Sequence, residues 1–357
     1  MDIGKAGKTG KNKGFRLGQD PGGVPIDQDG LAISAHAMTE EELEEQKSGK
    51  KNDSKKDLTI KEMVTAEVVA QAVLSREDSL YDLKLYIPEM AAVVKPGQFV
   101  SLYTEDASRI LPRPISVCEA DDKTGIIRLI YRAGGEKTGT AQFTKLRTGD
   151  RIRVLGVLGN GFDLTNVPGK HVYVIGGGIG IFPLYELARQ VSTLVKKMGA
   201  EKQSLTCDVI LGYRNRRFFE EEFDAIATES EDLNLVVNRD QKGNYVRVQV
   251  ATEDGSAGVQ GNVLDVMAEL ENSGSTYPAE ECVIYACGPK PMLRALKAYA
   301  EERGIECYIS LEERMACGIG ACLACVCDTK EVDEHSQVHN TRICTDGPVF
   351  NAKEVIL

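Results

Sequence analysis

His171-Val172-Tyr173-Val174-Ile175-Gly176-Gly177-Gly178-Ile179-Gly180 is the stretch on which the fold turns. His171–Ile175 shows no apolar/polar alternation, so it reads as a strand buried on both faces. A glycine turn follows, and then a helical run from Pro183 to about Lys197. Working outward, the alternation recurs: strand Cys207–Gly212, a helix around Glu220–Thr228, strand Leu233–Asn238, helix Val263–Leu270, strand Cys282–Ala286 and helix Pro291–Arg303. Such a β-α-β series predicts a Rossmann-like parallel sheet with helices on both faces. In that setting a glycine turn lets backbone approach a pyrophosphate, and the next helix offers free N–H groups. A purely structural turn stays open, because Ile181 stands where the strict G-x-G-x-x-G fingerprint has its last glycine. A second turn, Cys287-Gly288-Pro289-Lys290-Pro291-Met292, follows another strand and opens a helix. Both turns are expected at the same sheet edge, where ligands bind.

Toward the N-terminus the texture is different. From Thr65 to Gly149 short strands alternate with turns: Ala66–Ala72, Ser79–Ile87, Phe99–Tyr103 and Ile126–Arg132, the last with Ile127, Leu129 and Tyr131 on one face. Pro96-Gly97, Asp121–Gly125 and Thr148-Gly149-Asp150 supply turns, and the spacing suggests a small antiparallel barrel. Within it, Arg113-Pro114-Ile115-Ser116 offers a guanidinium for a phosphate and a hydroxyl for a ring nitrogen. A surface arginine beside a turn is the plainer reading of those residues, and Gly139-Thr140 is an equally common turn whose N–H groups suit phosphate. Residues 1–57 are polar and expected to be mostly disordered, since even the short acidic helix that Thr39 could cap over Glu40–Gln46 buries too little surface to offset its ordering entropy. Gly7-Lys8-Thr9 lacks the paired glycines and the preceding strand of a phosphate loop.

Toward the C-terminus stand Cys317, Cys322 and Cys325, followed at a distance by Cys344. C-x4-C-x2-C with a remote fourth cysteine is the plant-type spacing of a [2Fe–2S] cluster. Gly318, Gly320, Ala321 and Ala324 leave the intervening loop small enough to wrap the cluster closely. Zinc also takes four cysteines, but structural zinc sites usually pair two short knuckles and only one such pair is present. Disulfides find no secretory signal to support them. Cys327, two residues past Cys325, is an alternative ligand that the spacing disfavours. His36, His171, His335 and His339 show no ligand spacing and are expected to be structural or superficial.

At 357 residues with net charge −11, the chain has room for several cored domains and no basic face for nucleic acid. No apolar run reaches membrane-spanning length, since Val172–Ala188 is broken by glycines, Pro183 and Glu186. The ten cysteines, with no secretory signal, read as cytoplasmic thiols and metal ligands.

Taken as an ordered set, these motifs make the chain over about residues 60–357 resemble ferredoxin-reductase-type flavoproteins, and among them the electron-transfer subunits of dihydroorotate dehydrogenase B. The resemblance also rests on Ile130-Tyr131-Arg132, Leu155–Phe162, Thr252–Ser256 and the whole of Leu311–Phe350. It implies FAD held by Arg113, Pro114, Ile115, Ser116, Ile130, Tyr131, Arg132, Gly139 and Thr140. It implies a nicotinamide site around Gly176, Gly177, Gly178, Gly180, Cys287, Gly288 and Pro289, and cluster ligation by Cys317, Cys322, Cys325 and Cys344. The expected architecture is multidomain β plus α/β. An extension over 1–57 precedes an antiparallel FAD-binding β-barrel over 58–165, a Rossmann-like NAD domain over 166–311 and a small [2Fe–2S] subdomain over 312–357.

The family departs from this chain in the N-terminal extension and in extra residues at Gly134–Thr140. Arg214, Arg216 and Arg217 lie where a 2′-phosphate would sit, which keeps NADP open beside the NAD that the family favours. The implied activity is a relay between hydride and single-electron carriers, with pyrimidine biosynthesis as its setting. The implied partner is an FMN-containing dihydroorotate dehydrogenase catalytic subunit, a heterotetramer being the expected assembly. The rival is a subunit of an NAD(P)H–ferredoxin oxidoreductase or sulfide dehydrogenase, whose relatives can lack a cysteine at the position of Cys317. A non-enzymatic metal-binding scaffold is a further alternative.

Overall fold

The computed structural model describes residues 18–19, 25–26, 62–200, 204–231, 244–274, 277–332 and 337–357. The expectation of disorder over 1–57 and the strand expected at Leu233–Asn238 lie outside these, apart from a short antiparallel ladder between β1 (Gly18–Gln19) and β2 (Pro25–Ile26). The described residues from Glu62 onward belong to one compact unit.

That unit begins with an antiparallel barrel. Its strands are β3 (Glu62–Ser75), β4 (Leu80–Tyr86), β5 (Phe99–Tyr103), β6 (Arg113–Asp121), β7 (Ile126–Arg132) and β8 (Arg151–Leu158), closed in the order β3-β4-β7-β6-β5-β8. Period-two alternation explains the interior, because Leu83, Leu85, Val100, Leu102, Ile127, Leu129, Tyr131, Ile152 and Val154 share one buried core. Two of these strands are hidden in the sequence. β6 opens on Arg113-Pro114, where proline argues for a turn, and β8 contains Gly156, which argues for a break. Gly156 is needed because a methyl group there would lie 2.8 Å from Val100 Cγ1.

The second layer is a sheet of β9 (His171–Gly177), β10 (Thr206–Tyr213), β11 (Tyr245–Thr252), β12 (Val259–Gln260), β13 (Cys282–Cys287), β14 (Glu306–Ser310) and β17 (Val349–Asn351). The order is β12-β11-β10-β9-β13-β14-β17, parallel except that β17 runs antiparallel to β14. The parallel sheet expected from the sequence is present, and a strand returning from the cysteine segment adds one antiparallel edge to it. Every residue of β9 is buried, and its alternation sorts the two faces. Among the described residues the first four α-helices are α1 (Pro88–Ala91), α2 (Gly139–Phe143), α3 (Phe182–Ala200) and α4 (Glu220–Glu231). Val172 and Val174 pack with Leu184, Leu187, Val191 and Val195 of α3. Tyr173 and Ile175 pack with Val266 and Leu270 of α5 (Val263–Asn272) and with Leu293 and Leu296 of α6 (Lys290–Arg303). Each such aliphatic side chain, fully buried, contributes about 1.5–3 kcal/mol. Asn262 and Asp265 form a capping box on α5, and Gly304 ends α6 at φ 72°. The barrel and sheet share apolar packing, since Leu80, Cys118 and Ile130 lie in the cluster that holds α3. Between β14 and β17 the chain forms the ladder of β15 (Val326–Asp328) and β16 (Asn340–Arg342). Among the described residues no helix is long and apolar enough to cross a membrane.

Candidate functional site

β9 pairs in parallel with β10 on one side and with β13 on the other, so the chain order reverses beside it. The carboxyl ends of β9 and β13 therefore open a crevice at a topological switch point. The glycine turn and the Cys287–Pro289 turn meet there. A methyl group on Gly180 would lie 2.5 Å from Cys287 O and 2.7 Å from Gly288 Cα. One on Gly177 would lie 2.5 Å from Met292 Sδ, and one on Gly288 would lie 3.1 Å from Gly177 N. The backbones can touch because no side chain intervenes, and Gly178 makes the bend at φ 55°. The crevice belongs to a cavity of about 1010 Å³ lined by both turns, Arg132, Arg214, Glu253 and Glu312. Neighbouring protein atoms raise the carboxyl of Glu312 at its rim, with Arg132 opposing. Of the three arginines after β10, Arg216 Nη1 lies 2.7 Å from Glu77 and Arg217 Nη1 lies 2.7 Å from Glu220. Arg214 and Arg216 both line the cavity, Arg216 together with Glu77.

On the barrel, Arg113–Ser116 lies along β6 in register with Phe99–Leu102 of β5. Arg113 swings over the start of α2 (Gly139–Phe143), where a methyl group on Gly139 would lie 2.6 Å from its Nε. Its Nη1 donates to Leu111 O at 2.6 Å. The Gly134–Thr140 segment closes on itself, with Thr140 Oγ1 accepting from Gly134 N–H at 2.9 Å and Thr138 capping Ala141 N–H at 3.2 Å. The triplet Ile130-Tyr131-Arg132 diverges. Ile130 packs toward α3, and Arg132 reaches the cavity. Tyr131 points into the barrel, stacked on Tyr81 with its hydroxyl 3.4 Å from Gln71 Oε1. Burial pushes its phenol up.

The cysteines gather in two pairs. Cys317 faces Cys322, and Cys344 faces Cys325. Cys325 and Cys344 are buried, whereas Cys322 is exposed. Gly318 and Gly320 take φ 70° and 83°, which turns backbone N–H groups inward. Ile319 N–H donates to Cys317 Sγ at 3.4 Å and Gly320 N–H to Cys344 Sγ at 3.2 Å. Burial opposes ionisation of Cys317, but the N–H groups of Ile319, Cys322 and Ala321 and the Cys322 thiol hold it down to about 7. Burial and the Cys325 thiol push Cys344 up to about 12. Among the described residues no three His, Cys, Asp or Glu side chains converge on one point. Two thiol pairs suit a pair of iron atoms better than a single tetrahedral zinc ion. Cys327 sits on β15 in register with Thr341.

Sequence reasoning missed the residue that ties this loop to the barrel. Asn160 donates to Asp346 O at 3.0 Å and Val349 O at 2.9 Å, and accepts from Val349 N–H at 3.0 Å. Its one signal was a polar residue between Gly159 and Gly161, just past a strand.

Comparisons with known proteins bear on the same segments. Residues 312–356 match the iron–sulfur cluster binding domain of dihydroorotate dehydrogenase B, and residues 174–298 match the oxidoreductase NAD-binding domain. A solved structure of an NADH-dependent reduced ferredoxin–NADP oxidoreductase superposes with TM-score 0.61 at 24% identity, covering 82% of this chain and 89% of that one. That likeness establishes the fold. The electron transfer subunit of dihydroorotate dehydrogenase B (NAD(+)) from Bacillus caldolyticus is 40% identical over 281 residues, 78% of this chain and 93% of that protein. The subunit of the same name from Geobacillus thermodenitrificans is 39% identical over 294 residues, 81% of this chain and 97% of that protein. The chain belongs to the family of dihydroorotate dehydrogenase B electron-transfer subunits.

Proposed function

We propose that this chain relays electrons between a dihydroorotate-oxidising partner subunit and NAD⁺, through a [2Fe–2S] cluster and FAD, in pyrimidine biosynthesis. The observation that supports it best is the meeting of three sites in one compact unit. The cysteine segment is bonded to the barrel through Asn160 and contributes β17 to the dinucleotide sheet. When bound, the flavin and the cluster supply the exchange between a hydride and single electrons. This chain's residues supply the binding. Arg113, over the backbone of Gly139, is placed to neutralise a flavin phosphate, and the missing side chain at Gly139 leaves room for the guanidinium there. Ser116, Pro114, Ile115 and Thr140 complete that wall, while Tyr131 contributes through its main chain, its ring being committed to the barrel.

Gly176, Gly177, Gly178, Gly180, Cys287, Gly288 and Pro289 are assigned to the nicotinamide nucleotide, and NAD is favoured because carboxylates already neutralise Arg216 and Arg217. Cys317 and Cys322 hold one iron, Cys325 and Cys344 the other. Hydride transfer needs positioning rather than a protein acid or base, so no catalytic side chain is assigned. We assign 58–165 to flavin binding, 166–311 to nicotinamide binding and 312–357 to the cluster. The partner is an FMN-containing catalytic subunit in a cytoplasmic heterotetramer, docked where the exposed Cys322 brings the cluster near the surface.

Co-expression with the neighbouring dehydrogenase and assay of NAD⁺-dependent orotate formation tests this. Activity should be lost in Cys322→Ser while NADH still bleaches the flavin. Activity with ferredoxin and none with dihydroorotate would overturn the proposal.

A further inference from the structure

Four side-chain atoms in the described residues are buried without a hydrogen-bond partner, and two of them lie against the cysteine loop. Ser101, on β5, is fully buried, and a methyl group on Gly318 would lie 3.3 Å from its Oγ. Thr345 follows Cys344, and a methyl group on Gly320 would lie 3.2 Å from its Oγ1. Gly318 and Gly320 flank Ile319, and the N–H groups of Ile319 and Gly320 already point at cysteine sulfurs. The two hydroxyls thus sit against the same short arc of backbone whose amides serve the thiols.

A buried hydroxyl left without a partner costs about 1–3 kcal/mol, so two together against one loop call for an acceptor. A loaded cluster brings acceptors and no donors, namely thiolate and sulfide sulfurs. We infer that Ser101 and Thr345 donate hydrogen bonds to the sulfur atoms of the cluster and set its reduction potential. The inference rests on the cluster reading above, and it makes a barrel strand a contributor to the cluster's electronic environment. A donor to sulfur favours the more negative, reduced state, so removing it lowers the potential. Both are positioning residues, since the iron is held by the cysteines.

The test is a redox titration of the full chain followed by electron paramagnetic resonance, with iron and labile sulfide measured alongside. Ser101→Ala and Thr345→Val should keep the cluster, and each should lower its midpoint by the equivalent of about tenfold in the reduction equilibrium, about 59 mV for one electron. Thr345→Ser restores the hydroxyl and should restore the potential. A full cluster with unchanged midpoints in both variants overturns the inference and leaves the proposed function standing. A wild-type chain that binds no iron or sulfide overturns the cluster reading itself. Should Ser101→Ala fail to load, the contrast between Thr345→Val and Thr345→Ser decides, and equal potentials there refute the role.

Discussion

At its amino-terminal end the parallel sheet buries His171, Thr206 and Asp208, the last in direct contact with Arg247, whereas at the other end the same strands finish in Gly176, Gly177 and Gly212. Asp208 takes a two-pronged contact from Arg247, Nε at 2.6 Å and Nη2 at 2.8 Å. His171 Nδ1 lies 2.7 Å from Thr206 Oγ1, and Tyr277 stacks on its ring at 4.0 Å. At the glycine end there is no side chain to make such contacts, and backbone meets backbone across the crevice. Side chains lock the strands together at one end. At the other they are kept away so that a ligand can reach the main chain. Stability and binding are therefore separable by mutation.

The sharpest way to break that separation is Asp208→Ala. Burial pushes the Asp208 carboxyl up, but the His171 ring and the Arg247 guanidinium outweigh it and hold it below the usual range. Removing one partner of a buried ion pair costs about 3–5 kcal/mol, and the low end applies because Arg247 keeps 36% of its side-chain exposure. Urea unfolding should show a loss of about 3 kcal/mol, with NADH oxidation by the folded fraction unchanged. A loss below about 1 kcal/mol would reduce the cluster to an ordinary surface pair.

Gly180→Val probes the other end. Its Cβ would fall 2.5 Å from the Cys287 carbonyl, a backbone atom that cannot move aside without shifting the turn. Flavin reduction by NADH should slow about 100-fold in kcat/KM, the scale of an ångström-sized misplacement. Stopped-flow reduction at the wild-type rate would remove the crevice from nicotinamide binding. Arg113→Ala sharpens the comparison further, because there a charged side chain and a bare glycine share one site. A charge-assisted hydrogen bond is worth about 1.5–3 kcal/mol, so FAD should dissociate roughly 10- to 100-fold more readily, as measured by flavin fluorescence on dilution. Retention equal to wild type would assign the phosphate to backbone alone.

The glycine end was legible in the sequence because its signal is local: an apolar run, a glycine turn, a helix. The cysteine spacing was legible for the same reason. The partition of the cysteines into pairs was not, since it depends on how a loop folds back on Cys344. Strand β14 and edge strand β17 escaped because they are short, and β17's identity as a strand comes from pairing with residues far back in the chain, Ile309 with Phe350 and Ser310 with Val349. Ser101 carries no pattern of its own, and Asn160 only its place between two glycines. One matters because its hydroxyl lacks a partner, the other because it has three. The His171 cluster was read as structural for want of ligand spacing. The structure agrees, and adds that Asp208 and Arg247, polar breaks in apolar strands, were the legible half of it.

The smallest effect separates the two ends by pH. Burial lowers the His171 pKa, with Arg247 adding to that effect and Asp208 opposing it. Nε2 lies 3.2 Å from Asp208 Oδ2 but is not aligned to donate there, and burial pushes the neighbouring phenols of Tyr173 and Tyr245 up, so they carry no charge in this range. The folded ring therefore stays neutral where the unfolded ring, near pKa 6.5, takes a proton. Below about pH 6.5 the unfolded chain binds more protons, and stability falls as pH falls by up to about 1.4 kcal/mol per unit until the folded ring titrates. Asp208 acts in a lower window, since its depressed carboxyl contributes stability above about pH 3.9 that is lost only as pH falls through its folded value. Urea midpoints from pH 7.5 to 5 should decline for the wild type and flatten in His171→Gln. Parallel declines would place the titrating group elsewhere, and a pH-dependent loss of NADH binding over the same interval would show that the two ends of the sheet are coupled after all.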